Sequence, residues 1–210
     1  MFDIYIATYN REKKLERCIK SILANDLKDW RIVVNYDIKH EFVFKIWSRE
    51  LKTMQHPWAL CICDDVELYP DCLSTLARKC EELFPDTDGL IGFNQANIPL
   101  DTEGFSKSAQ AIIGRKFIER FGDHPVYCPD YRSFGADAEL GHFARIIDRF
   151  YWCEEAKLTH YHPAHCPEEM DETHHIVRAG NIVQIDNDKY QQRVVKRGWT
   201  WGKDFNRLCL

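Results

Sequence analysis

The chain has no glycine-rich phosphate loop, no apolar run long enough to cross a membrane and no extended block of like charge. None of its ten glycines falls in a Gly-x-Gly-x-x-Gly pattern, so the ordinary dinucleotide fingerprint is absent. No segment approaches the ~20 apolar residues of a membrane span. With 28 basic and 33 acidic residues the net charge is −5, which excludes a molecule-wide polyanion-binding field. Binding to long nucleic acid would need a local patch such as Arg193–Arg197, and that stretch, QQRVVKRG, also reads as a solvated helix end. The opening residues carry no basic region followed by a cleavable apolar run. Nine cysteines is an odd number, and Cys18, Cys61, Cys63 and Cys80 sit in apolar runs. That pattern suits reduced, buried thiols rather than a disulfide framework, and the expectation is a soluble cytoplasmic protein. There is no internal repeat and no low-complexity stretch.

What is present is an α/β pattern. The length suits one domain over 1–165 with an extension over 166–210. Ile4–Ala7 read as a first strand, Thr8-Tyr9-Asn10-Arg11 as a polar turn, and Leu15, Cys18, Ile19, Ile22 and Leu23 recur at helical spacing over Lys13–Ala24. Trp30–Asn35 follows as a second strand, with Asp37 just past its tip. The most informative segment is Trp58–Leu73, WALCICDDVELYPDCL. A buried-looking strand ends abruptly in Asp64 and Asp65, then Glu67, and Tyr69-Pro70-Asp71 opens a helix. Open α/β sheets place ligand chemistry at such strand tips. Hard oxygen ligands there suit Mg²⁺ or Mn²⁺ held together with a substrate phosphate; a solvated acidic turn is the plain alternative. Leu90–Asn94 is a further strand, 95–106 a loop over the active face, and Ala111–Gly114 leads into a helix over Arg115–Phe121.

Two later stretches carry chemistry. In Ser133–Ile147, Asp137 and Glu139 open an apolar-periodic helix. They read either as acids favoured by the helix dipole or as a general base with a supporting acid. In Leu158–Cys166, LTHYHPAHC, His160 and His162 alternate by two, so on a strand both point to one face. His160, His162, His165, Cys166, His174 and His175 also offer enough ligands for zinc, although their spacing fits no standard zinc motif. Surface histidines near a proline turn remain the third reading. Beyond His175 the pattern has mixed polarity. The tail reads as a lid or arm across the active face, with Trp199 and Trp201 as stacking platforms or anchors.

IATYNR, VVNYD and ICDDVELYPDCL, in that order and spacing, resemble the family-2-type glycosyltransferases of the GT-A fold. The resemblance covers roughly Phe2 to Pro163. It implies a mixed sheet flanked by helices and a hexosyltransferase-like reaction drawing on a nucleotide-diphosphate sugar, with UDP as the nucleotide and Mn²⁺ or Mg²⁺ as cofactor. It implies that Thr8, Asn10, Arg11 and Asp37 hold the base and ribose. Laid onto Cys63-Asp64-Asp65, the family's Asp-x-Asp loses its first acid to Cys63. Asp64 then lies near the ribose or sugar and Asp65 becomes the direct metal ligand, with His160 the best match for a further ligand and His162 next. Laid onto Gly135-Ala136-Asp137, the family's acidic turn leaves Asp137 as the base for inverting transfer, with Glu139 beside it in the catalytic set. The acceptor is open between a glycan, a protein side chain, a small molecule and a modified nucleic-acid base. Two other classes stay in play. One is a non-catalytic nucleotide-sugar or carbohydrate-binding module, favoured by Cys63; the other is a zinc-stabilised interaction protein.

Overall fold

The computed structural model describes residues 1–99, 107–198 and 201. The opening unit is β1 (Phe2–Thr8), α1 (Glu12–Ala24) and β2 (Trp30–Tyr36). Ile4–Ala7 of β1 read as a continuous apolar run because the strand is covered on both faces, as buried parallel strands are. α1 turns Leu15, Cys18 and Ile22 inward at helical spacing. After α2 (Val43–Glu50) come β3 (Trp58–Cys63), β4 (Val66–Leu68), α3 (Cys72–Leu83), β5 (Leu90–Gln95), β6 (Ala111–Gly114) and α4 (Arg115–Glu119). The remainder is α5 (Ala136–Ile146), β7 (Phe150–His160), α6 (Glu172–Ala179), α7 (Ile182–Tyr190) and a π-helical turn over Gln191–Val195.

The seven strands form one mixed sheet in the order β2-β1-β3-β6-β5-β7-β4. β1 runs parallel to β2 and β3, and its register sets Thr8 beside Tyr36 and Ala7 beside Cys63. The Thr8–Arg11 turn, Asp37 and the Asp64-Asp65 turn therefore leave the sheet at one end. β6 pairs antiparallel with β3 and β5, whereas β5 and β7 are parallel. β4 pairs antiparallel with β7 at the far edge, Val66 opposite His160. Only Asp64 and Asp65 separate β3 from β4, so the sheet must curl until its centre and its edge meet. That curl brings the end of β7 against the acidic turn, where Tyr161 N donates to Asp65 O at 2.8 Å.

Alternation along the central strands feeds two cores. Phe2, Ile4, Ile6, Leu60 and Ile62 pack with α1 and α3 on one face. Tyr5, Cys61, Trp47, Phe117 and Phe143 pack on the other, joined by Tyr190 and Val194 from the C-terminal helices. All eight described cysteines are free thiols. No described helix is long and apolar enough to cross a membrane.

Several sequence expectations need correction. The helix after β6 stops at Glu119, not Phe121. β7 ends at His160, so His162 does not share its strand, and the alternation argument for the pair does not apply. The stretch over Ile176–Gln192, unreadable by periodicity, is helical. Part of the expected 95–106 loop, and Trp199, lie outside the described residues.

Candidate active site

At the tips of β1 and β3 the polar groups converge. Asp64 is fully buried. Its Oδ2 accepts from Thr8 Oγ1 at 2.6 Å and its Oδ1 from Arg11 Nη1 at 2.9 Å. Arg11 Nη1 also lies 3.6 Å from Asp65 Oδ2. Burial pushes the Asp64 carboxyl up to about 6, against the pull of Arg11, and the charge of Asp65 adds to the rise. Asp65 is buried as well, but His160 when protonated, and then Arg11, hold its carboxyl well below the usual range. Arg11, in turn, is driven further into its charged form by Asp64 and Asp65 despite its own burial.

His160 closes the other side. Its Nε2 lies 3.3 Å from Asp65 Oδ1, and its Nδ1 lies 2.6 Å from Gln95 Oε1. Asp65 Oδ1 is buried and has no hydrogen-bond partner. The His162 ring sits 5.5 Å from His160 and 5.4 Å from His174. Burial, helped by the neighbouring histidines, pulls His162 down to about 4, so its imidazole is neutral at pH 7. Among the described residues no three His, Cys, Asp or Glu side chains form a complete metal shell. The six ligands that the sequence offers for zinc are thus not gathered. An orphaned carboxylate oxygen facing a histidine nitrogen does fit a hard divalent ion that completes its shell with phosphate oxygens and water.

A strap before α6 covers this cluster. Asp171 caps α6 by accepting from His174 N, and its carboxylate also receives Arg11 Nε at 2.9 Å and Lys14 Nζ at 2.6 Å. One turn further along α1, Arg17 binds Glu169 at 2.7 Å and stacks on Tyr161, whose hydroxyl donates to Glu67. Glu67 is therefore engaged away from Asp65. Asp171, Lys14 and Gln95 went unnoticed in the sequence as site residues, and His174 was offered there only as a zinc ligand. Lys14 stands one turn from Arg11, Asp171 directly precedes a helix, and Gln95 ends a strand; each of these positions was a usable signal.

The expected donor-side residues are spread more widely. Asn10 is exposed, with a left-handed backbone. Asp37 lies at the right strand tip, but its carboxylate accepts from Glu41 N at 2.7 Å and Phe42 N at 3.0 Å, closing the loop into α2.

α5 begins at Gly135, whose φ of +90° turns the chain sharply into the helix. Asp137 follows in its first turn. Burial pushes its carboxyl up to about 7, against the backbone N–H groups of Ala138, Asp137 and Gly135 and the charge of His160. Glu139 is different. It accepts from Tyr131 Oη at 2.6 Å, from Arg193 Nη2 at 3.0 Å and from Trp201 N. It ties the C-terminal segment to α5, and none of these partners comes from the acidic turn. Trp201 Nε1 donates to Pro125 O at 2.8 Å, so this tryptophan is an anchor.

The model of the family described as Glycosyl transferase family 2 matches residues 3–37. No curated protein matches the chain. Among solved structures, S. aureus TarS is 13% identical, with a TM-score of 0.61, over 82% of this chain and 41% of that one. TarS 1–349 in complex with UDP gives 13% identity and 0.61 over 94% of this chain and 73% of that one. The mannosyltransferase PcManGT from Pyrobaculum calidifontis, in complex with GDP-Man and Mn²⁺, gives 14% and 0.62 over 85% and 60%. The chain thus spans less than half of full TarS and about three-fifths of PcManGT. The fold is GT-A, a mixed curled sheet flanked by helices, and the family-2 resemblance of the opening strand-helix-strand unit holds.

Proposed function

We propose that the protein is a glycosyltransferase of the hexosyltransferase kind that moves a sugar from a nucleotide diphosphate, a UDP-sugar, onto an acceptor hydroxyl with inversion. The observation that carries this reading is the pairing of Asp65 Oδ1 with His160 Nε2 at the meeting of β3, β4 and β7. A buried carboxylate oxygen without a hydrogen bond is costly unless a cation joins it. Asp65 and His160 would hold Mn²⁺ or Mg²⁺, with His162 behind them. Such an ion, when bound, offsets charge on the leaving diphosphate. Structural neighbours in complex with UDP, with UDP-GlcNAc, and with GDP-Man and Mn²⁺ support the donor class.

The chain's own residues do the rest. Thr8, Arg11 and Asp37 stand at the strand tips where base and ribose bind, with Asn10 on the same turn. Asp64 holds Thr8 and Arg11 in place and faces the ribose side. Asp137 takes the proton from the acceptor hydroxyl as its oxygen attacks the anomeric carbon. The bond from that carbon to the phosphate oxygen breaks, and the diphosphate leaves with the electron pair. A carboxyl poised near 7 suits a base working at neutral pH. Glu139 acts through structure alone. The extension that begins at residue 166 covers the active face through Asp171 on Arg11. The free thiols suit a reducing compartment, and we place the protein in the cytoplasm. The acceptor class stays open.

The test is a thermal-shift screen of nucleotide sugars with and without Mn²⁺, since a ligand that binds the native state raises its melting temperature. A Mn²⁺-dependent rise with a UDP-sugar is expected. No rise with any nucleotide sugar at saturating concentration defeats the proposal.

A further inference from the structure

Gln95 is the last residue of β5 and is 5% exposed. Its amide oxygen lies 2.6 Å from His160 Nδ1. An amide oxygen accepts and cannot donate, so the proton between them sits on Nδ1. In a neutral imidazole the other nitrogen, Nε2, then carries the lone pair. That lone pair faces Asp65 Oδ1 at 3.3 Å, the buried oxygen with no hydrogen-bond partner. In that neutral form two electron-rich atoms confront each other with no proton between them, which a bound cation would relieve. Arg11 does not relieve the contact, because it approaches the other oxygen, Oδ2. The backbone of His160 is fixed too: its N–H donates to Asn97 Oδ1 at 2.9 Å, and its carbonyl accepts from Asn97 Nδ2 at 2.9 Å.

We infer that Gln95 is the positioning residue that makes His160 a metal ligand. It selects the Nδ1–H tautomer and aims Nε2 at the space beside Asp65. This rests on the proposed cation site at Asp65 and His160. Outer partners of this kind hold a ligand's tautomer and orientation, and losing one costs roughly 10–100-fold in metal affinity. The choice of an amide over a carboxylate has its own consequence. A neutral acceptor leaves the imidazole less basic than a carboxylate would, so metal held here is weaker without the donor diphosphate than a Glu at this position would make it.

The experiment uses the full chain and two NMR readouts on His160. Long-range ¹H–¹⁵N spectra of the metal-free protein report its tautomer. Added Mn²⁺ broadens the ring signals, and the midpoint of that broadening reports affinity. The wild type is expected in the Nδ1–H form. Gln95→Leu should populate the Nε2–H form and raise the Mn²⁺ midpoint about 10–100-fold. Gln95→Glu should keep the Nδ1–H form with an equal or lower midpoint, and it carries the test alone if the Leu variant does not fold. Unchanged tautomer and midpoint in Gln95→Leu, or a tenfold higher midpoint in Gln95→Glu, overturns the inference. A wild-type Nδ1–H ring that Mn²⁺ never broadens brings down the cation site itself, and the metal role of Gln95 with it. Its hydrogen bond would survive as a structural contact only.

Discussion

Asp137 has a carboxyl that burial pushes up to about 7, and this sets two opposite dependences on pH. As a base it works only when ionised, so transfer should rise with pH and level off above about 7; a rate profile flat from pH 5 to 8 contradicts the assignment. Stability runs the other way. The folded chain holds this proton more tightly than the unfolded chain, whose ordinary value is 3.8. The group therefore contributes stability at low pH that is lost as pH rises through about 7. Asp137→Asn should lower transfer by roughly 10²–10⁴-fold with donor binding intact. The same variant should melt above the wild type at pH 8, by a margin that shrinks at pH 5. At the acidic turn the two neighbours should separate. Asp65→Asn should remove the Mn²⁺-dependent part of donor binding in calorimetry, whereas Asp64→Asn, whose oxygens serve Thr8 and Arg11, should leave much of it. Equal loss in both would shift the ligand assignment by one residue. His160→Ala should weaken Mn²⁺ more than His162→Ala, and the reverse order would hand the role to His162.

Single elements carry their own constraints. α5 can start where it does because Gly135 adopts φ +90° with Tyr131 Cε1 only 3.2 Å from where a Cβ would stand. Gly135→Ala should cost about 1–2 kcal/mol in urea unfolding, from the left-handed backbone alone. An unchanged midpoint would show that the turn relaxes freely. This element was legible in the sequence as a helix opening with acids, yet Glu139 was not legible as a structural anchor. Its partners Arg193 and Trp201 lie more than fifty residues further on, where no spacing rule reaches. β1, β2 and β3 were legible as short apolar runs and α1 by its helical period. β4 is three residues long with Glu67 at its centre, too short to show any period. β7 hid for a different reason. Its pairing with β5 shifts register after Phe93, so Glu154 and Glu155 break the alternation that marks a strand.

Across the whole molecule the C-terminal extension is the part that sequence periodicity served worst. α6 has no buried residue and α7 leaves Val183 and Ile185 exposed, so neither shows a clean apolar face. They are helices held by particular contacts. Ile182, Tyr190 and Val194 are buried, and Arg193 pairs with Glu139, itself 1% exposed. Removing residues 166–210 would strand that carboxylate with Tyr131 alone. Loss of one partner from a buried pair costs about 3–5 kcal/mol. At 2–4 °C for each kcal/mol in a chain of this size, the 1–165 fragment should melt on the order of 10 °C lower. An unshifted melting temperature would make the extension a detachable arm. Asp65 and Asp137 could be singled out because they lie at the end and the start of readable elements, and His160 because of the histidine run it belongs to. Its cover was not, since Asp171, Lys14 and Arg11 meet only through the folded strap.

The two-residue join between β3 and β4 also bears on how the chain is made. Glu67, next to that join, finds its partner Tyr161 94 residues later. At ribosomal speeds of about 5–20 residues per second, that separation is a wait of roughly 5–20 seconds. During it the nascent chain can assemble β1, α1, β2 and β3, while Val66 and Leu68 wait as an unmatched sheet edge. Thr8 and Arg11 can therefore meet Asp64 before Asp65 has His160 to close against. The wait puts the short edge strand that follows Asp64 and Asp65 in reach of other chains and of chaperones each time the protein is synthesised.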